Sequence, residues 1–349
     1  MIVKSIEKYL KLLPEREKDI LRLRFGLGEE APLSLQKTGE KYKITRERVR
    51  QIQNEILRKI KEGILSDENL NKVVDFAEKL IKKNNGFFDE DLENEIILNF
   101  DSGAKKYYVR FLLMLAPEIK FEKKDDFHHN FYSLKEKSQG FKKFFHFVSD
   151  EFYDQKLEYE KFKLKIFSIF KKHLKENIKE ESLNKILKIS KKIWLNPFNE
   201  GGHEENLYIA PKNVREKILA ILSYYKKPLH FKELHQIVLK LKENTNELIH
   251  PTWKKTFKIE TIHNELIRRD SFILAGRGFY ALKDWGYSDK TVRDLILEYL
   301  SKNKKPVKKD EVIKYVLSKK IVKPKVVQII IYQLKDKIKL LGDGMISLK

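Results

Sequence analysis

The chain has 349 residues, with 73 Lys and Arg against 51 Asp and Glu, a net charge of +22 and no cysteine. Disulfides and thiolate metal sites are excluded, and because the longest apolar run is only Phe111–Ala116, so are a membrane span and a signal peptide. A composition 41% hydrophobic and 36% charged suits several globular domains, and the excess of cations is either a footprint for polyanions or the lysine bias of a genome.

In chain order, Leu13–Leu27 (LPEREKDILRLRFGL) and Leu33–Tyr42, which carries Gly39, read as two helices. The next stretch, Ile44–Ile60, has a capping residue in Thr45, followed by Val49, Ile52, Ile56 and Ile60 at helical spacing with Leu57 beside them. That stripe predicts a helix starting at or just after Thr45, with Glu47, Arg50, Gln51 and Asn54 on the far side and Arg46 at its edge. These side chains hydrogen-bond to base edges and phosphates, and they lie in the half of the helix that enters a major groove in helix-turn-helix proteins. A solvated, ligand-free helix has the same charge pattern. Arginine usage favours the first reading: of 13 Arg, seven (Arg16, Arg22, Arg24, Arg46, Arg48, Arg50, Arg58) fall in the first 58 residues.

These three stretches resemble region 4 of housekeeping-type bacterial sigma factors over roughly residues 5–62, through LPEREKDILRLRFGL, the helix with Gly39, and TRERVRQI. The resemblance implies a reader of the promoter −35 element that docks on the flap of the polymerase β subunit. Arg46, Glu47, Arg50 and Gln51 take the base-reading positions, and Thr45 and Arg48 neighbour phosphates. Lys43, Thr38 and Gln53 depart from the family pattern. Nothing in the chain resembles the aromatic-rich helices that melt the −10 element, so it is not expected to initiate transcription alone.

Beyond Ile60 the pattern relaxes through Gly63 to a Ser66/Asp67 cap, which sets the first boundary. Helices are expected from about Leu70 to Lys83, from Phe87, and from Ala104 to Leu115, followed by two strands within Ile119–Tyr132; this is the order of a winged helix. Glu118 and Glu122 stand too close together for a metal-dependent nuclease. His128 and His129 read as a polar wing, not a metal pair. Residues 138–195 read as helical throughout, their aromatics at spacings of three and four forming a core. Asn196–Asn206 is a loop, with a boundary near Pro211.

The last part repeats itself. Val214-Arg-Glu-Lys-Ile-Leu matches Val292-Arg-Asp-Leu-Ile-Leu at an offset of 78, while Gly276–Lys283 matches Gly342–Lys349 at 66. The first copy therefore carries about a dozen extra residues, placed within Asn244–Thr256. VREKILAIL, KPLHFKELHQIV and LAGRGFYALKDW resemble the HARE-type winged helix-turn-helix, which implies a DNA- or partner-binding module. At the wing tips, Arg277 suits a minor groove or a phosphate and Asp343 does not.

The expected architecture is mainly α, a tandem of helix-turn-helix and winged-helix modules with short β-hairpin wings. The expected divisions are a sigma region 4-like part (1–66), a winged helix (67–137), a helical domain and linker (138–210), a HARE-type module (211–286) and a second winged-helix repeat (287–349). The expected function is non-catalytic DNA-binding transcription regulation in the cytoplasm, nucleoid-associated, with double-stranded DNA as partner, RNA polymerase core (β flap) as a further one, and no membrane, cofactor or metal. The candidate DNA contacts are Thr45, Arg46, Glu47, Arg48, Arg50, Gln51, Asn54 and Arg277. Two alternatives stay open: a delta-subunit-like polymerase accessory protein, and a DNA-processing or restriction-associated protein.

Overall fold

The structure is a computed structural model that describes all residues except 29, 30, 269, 270 and 304. It is mainly α, with short antiparallel β wings, and divides into two compact units: residues 1–153 with 157–194, and residues 154–156 with 195–349.

The first unit opens with α1 (Ile2–Leu10), α2 (Glu15–Phe25), α3 (Leu35–Tyr42) and α4 (Arg46–Ser66). Helix α4 runs unbroken through Gly63, beyond the point where the sequence pattern relaxes, and Asp67 then caps α5 (Glu68–Lys83) by accepting from the amides of Asn69 and Leu70. Strand β1 (Phe87–Asp89), α6 (Asp91–Phe100), α7 (Lys106–Leu115), β2 (Ile119–Glu122) and β3 (Phe131–Leu134) follow. Both β1 and β2 pair antiparallel with β3, so that Tyr132 lies opposite Phe88 on one side and Phe121 on the other.

The expectation of a helix from Phe87 is corrected here: Phe87–Asp89 is a strand and α6 starts at Asp91. Alternation along a strand sends consecutive side chains to opposite faces. Phe87 thus stacks near Phe141 and Phe170, while Phe88 enters a second cluster with Leu92, Tyr132 and the apolar stripes of α1, α4, α5 and α7. That second cluster is shared. Ile2, Ile6 and Leu10, Leu21, Ile56, Ile60 and Ile64 bury against Val73, Ala77, Val109, Phe111 and Leu112, and Phe25 meets Phe111 edge to face at 5.0 Å.

The unit continues with α8 (Ser138–Phe152), α9 (Tyr159–Leu174) and α10 (Glu180–Ile189), while β4 (Lys156–Glu158) and β5 (Ile193–Leu195) each straddle the division, so residues 138–195 are not helical throughout. The polar-wing reading of His128 is also corrected. Its side chain is fully buried beside Phe131 and Phe145, and the backbone around it is paired, His129 N–H donating to Ile189 and Lys191 N–H to Phe127.

The second unit holds β6 (Glu200–His203), within the segment read as a loop, and then two copies of one plan. The first has α11 (Val214–Tyr225), β7 (Leu229–His230), α12 (Phe231–Lys242), α13 (Ile259–Ile267), β8 (Phe272–Gly276) and β9 (Phe279–Leu282), with sheet order β7-β9-β8. The second has α14 (Val292–Lys302), β10 (Val307–Lys308), α15 (Lys309–Lys319), α16 (Pro324–Gln333), β11 (Ile338–Leu340) and β12 (Met345–Leu348), ordered β10-β12-β11. Residues 243–258 separate α12 from α13, whereas only residues 320–323 separate α15 from α16, so the extra length of the first copy lies between its second and third helices.

Candidate nucleic-acid interface

The turn between α3 and α4 sets the geometry. Ser34 caps α3 by accepting from Lys37 N–H, and Thr45 caps α4 by accepting from Arg48 N–H at 3.1 Å. Between them Lys43 adopts a left-handed conformation, φ 55° and ψ 42°, and Ile44 N–H donates back to the Gly39 carbonyl. A Cβ on residue 39 would stand 2.5 Å from the Ile44 carbonyl oxygen, a contact only glycine avoids. Gly39 thereby allows α4 to turn tightly off α3.

Helix α4 is held from one side. Val49, Ile56 and Ile60 are buried, Ile52 and Leu57 partly so. At about 100° per residue, burial of that stripe leaves Thr45, Arg46, Glu47, Arg48, Arg50, Gln51 and Asn54 exposed, and all seven are. The structure brings them together on the first two and a half turns.

Two pairs one turn apart order this face. Arg50 donates to both carboxylate oxygens of Glu47, at 2.9 and 2.6 Å, and Arg48 donates to Gln51 Oε1 at 3.2 Å. The hydrogen bonds from Arg50 hold the Glu47 carboxyl below its usual range and raise the Arg50 guanidinium. Arg50 is thus steered by a neighbour while its remaining donors face solvent. Arg46 and Asn54 make no side-chain hydrogen bond among the described residues. Chemically this is a set of guanidinium and amide donors interleaved with one carboxylate and two amide oxygens as acceptors, suited to base edges and phosphate oxygens.

The departures at Thr38 and Gln53 are accommodated. Thr38 is fully buried with its hydroxyl donating to the Ser34 carbonyl at 3.0 Å, and Gln53 accepts from Arg24 Nε at 3.0 Å. Arg24 also donates to the Leu33 carbonyl, so one guanidinium joins α2, α4 and the segment entering α3. Sequence reasoning passed over Arg24 as a positioning residue; the only signal was its place in the arginine-rich stretch. Beside it, a cavity of about 240 Å³ is lined by Arg24, Gln53, Tyr107, Arg110, Phe121 and Lys123. Arg277 lies elsewhere, exposed at the β8–β9 hairpin tip of the second unit.

Among the described residues no three His, Cys, Asp or Glu side chains are placed to hold a metal, and no helix is long and apolar enough to cross a membrane.

Residues 9–62 match the family of sigma-70, region 4. Over 61 residues the chain is 41% identical to proteins named RNA polymerase sigma factor SigA from a Nostoc species, a Bacillus species and Clostridium acetobutylicum. In each case the match covers 18% of this chain and 16% of the relative, so the chain spans a small part of the length of these proteins. The N-terminal helix-turn-helix is therefore a sigma region 4-type domain.

Proposed function

We propose that the protein is a non-catalytic DNA-binding transcription factor in which α4 reads a promoter −35-type element. The supporting observation is that α4, within a matched sigma region 4-type domain, leaves Arg46, Glu47, Arg50, Gln51 and Asn54 uncovered in its N-terminal half. In this reading Arg50 and Arg46 make bidentate or phosphate contacts, Gln51 contacts adenine or phosphate, and Glu47 accepts from a cytosine amino group. Thr45 and Arg48 flank the phosphates. The protein works in the cytoplasm, on the nucleoid.

The first C-terminal repeat adds winged-helix contacts of the HARE type, its Arg277 facing DNA, while the second repeat serves mainly as a protein-contact or packing module. A second reading, docking on RNA polymerase through the β flap, is supported by Leu12, which is 77% exposed after α1, whereas Leu13, Ile20 and Leu21 are core.

The test is a fluorescence anisotropy titration, near physiological ionic strength, of a duplex carrying a TTGACA-type hexamer against a scrambled duplex of equal length. Preference for the hexamer, reduced by about 1–3 kcal/mol in Arg50→Ala, is the expected outcome. Equal binding to both duplexes by the unaltered protein sinks the reading and leaves polymerase docking in its place.

A further inference from the structure

Helices α8 and α9 pack through Phe141 and Phe144 against Phe170, and they lie close at Gly140, where a Cβ would stand 3.1 Å from the Leu174 side chain. This brings the exposed side of α8 beside the end of α9. Lys142, Lys143, His146, Phe147, Asp150 and His173 line an open hollow of about 420 Å³. At its edge Lys172 Nζ sits 4.4 Å from the Phe147 ring centre, and the His173 ring packs on the same phenylalanine at 4.8 Å.

The lysines here are arranged differently from those nearby. Lys137 pairs with Glu176, Lys163 with Glu160 and Glu180, and Lys165 with Glu151. Lys143, Lys172 and Lys175 are exposed and make no ion pair among the described residues. Burial lowers the pKa of His173, and the charges that add to the shift are Lys172, Lys175 and Lys143, with no carboxylate offsetting them. Asp150 is the one acid lining the hollow, against Lys142, Lys143 and the neighbouring Lys172 and Lys175, so the cations are in excess and an external anion relieves their repulsion.

The hollow and α4 belong to one compact unit, and β2 borders the surroundings of both. Gln53 of α4 shares its cavity with Arg24, Phe121 and Lys123. Glu122, next along β2, receives both Lys120 at 3.4 Å and Lys142 at 3.1 Å. Lys142 then borders the hollow itself. The reading helix and the α8–α9 hollow thus stand in the same unit, with β2 between their neighbourhoods.

We propose that the face formed by Lys143, Lys172 and Lys175 around Phe147 binds the phosphate backbone of double-stranded DNA flanking the segment read by α4. The inference rests on α4 engaging DNA but not on which sequence it reads. The face adds affinity without sequence preference, since phosphate contacts carry no base information. It also gives residues 138–175 a role: they lengthen the footprint on one side of the site.

The experiment uses the full chain, with the triple variant Lys143→Gln, Lys172→Gln, Lys175→Asn; asparagine suits the left-handed φ of 60° at residue 175. Anisotropy is measured across a salt series on two duplexes sharing one hexamer, a short one just covering it and a long one extended by about one and a half turns on each side. Each lost phosphate contact flattens the log–log salt slope by about 0.9. The expected result is about tenfold weaker binding to the long duplex, with a slope shallower by about two to three. Binding to the short duplex and the hexamer-to-scrambled ratio stay as they were, and the matching Lys→Arg triple variant binds like the unaltered chain.

An unchanged affinity and slope on the long duplex overturns the proposal, as does an equal loss on both lengths, which marks a general charge effect. If circular dichroism shows the triple variant misfolded, the Lys143→Gln, Lys172→Gln pair is scored by the same criteria, with a slope change of about two. Loss of hexamer preference in the unaltered chain, with the length-dependent slope retained, counts against the −35 reading alone.

Discussion

The two C-terminal repeats share a frame and differ in what they do with it. At an offset of 78, Ile218, Leu222, Leu229, Leu234 and Val238 of the first copy correspond to Ile296, Leu300, Val307, Val312 and Val316 of the second, and all ten are buried. Among the positions that break the match, Leu295 is core in the second copy and Lys217 stands in its place in the first, 1% exposed. Its ammonium donates to the carbonyls of Trp253 at 3.0 Å and Lys255 at 2.6 Å, and lies near the Trp253 and Phe257 rings. Those residues belong to the longer connection that only the first copy has. The lesson is that an insertion into a small core brings irregular backbone whose carbonyls need donors, and a core lysine supplies them.

The surfaces diverge as well. The third helix of the first copy, α13, exposes Glu260, Thr261, Asn264 and Ile267. The corresponding helix of the second, α16, exposes Val326, Ile329 and Tyr332 beside Lys325 and Gln328. A polar third helix can meet a groove, whereas an apolar one suits a protein surface.

The largest effect is expected at Trp253, which is fully buried, donates from its indole N–H to the Ile209 carbonyl at 2.7 Å and meets Phe198 edge to face. Trp253→Ala should cost about 3–5 kcal/mol. Hydrogen exchange resolves where: amides of α11 and α12 should lose protection while those of α14 and α15 keep theirs. Equal loss in both repeats would show that the insertion supports the whole unit, and the comparison would fail.

A smaller effect is expected from Lys217→Leu, which installs the residue of the second copy and strips two carbonyls of their donor, at about 1–3 kcal/mol. It also carries a pH signature. Burial, with Lys255 adding to it, lowers the Lys217 pKa to about 8 from its ordinary 10.5. Between these values the unfolded chain binds a proton that the folded chain does not, so this contribution to stability is full above about 10.5, declines as pH falls, and is gone below about 8. Chemical denaturation from pH 7.5 to 10 should show stability rising more steeply in the unaltered protein than in Lys217→Leu; parallel curves would place the ammonium, still charged, in the folded core.

How much of this was readable in the chain depended on whether the signal was local. The cap at Thr45, the stripe Val49–Ile56–Ile60 and the exposed face of Arg46, Glu47, Arg50, Gln51 and Asn54 follow from spacing alone, because a helix fixes its faces within one turn. The repeat and the position of its insertion were legible for the same reason, as offsets in the sequence. Phe87–Asp89 was misread because a strand of three residues shows almost no period, and its identity comes from Phe131–Ser133, more than forty residues away. His128 and Lys217 look like surface residues in sequence, and only tertiary packing buries them. The joint core of α1, α4, α5 and α7 likewise has no local mark, since amphipathic helices declare that they bury a face, not against what.

The smallest effect tests the wing tips. Arg277 and Asp343 occupy matching places in the β8–β9 and β11–β12 connections, and both are exposed. If the first copy faces DNA and the second does not, Arg277→Ala removes one phosphate or minor-groove contact. Affinity then drops a few-fold, with a salt slope shallower by about one. Asp343→Ala leaves both unchanged, because a carboxylate that never approaches the duplex has no repulsion to relieve. A gain of affinity in Asp343→Ala would mean that this tip does lie against DNA and weakens binding there. Loss of similar size on deleting either repeat would mean that both copies contact DNA despite their different third helices, in which case the exposed Ile329 and Tyr332 of α16 need another explanation than a protein partner.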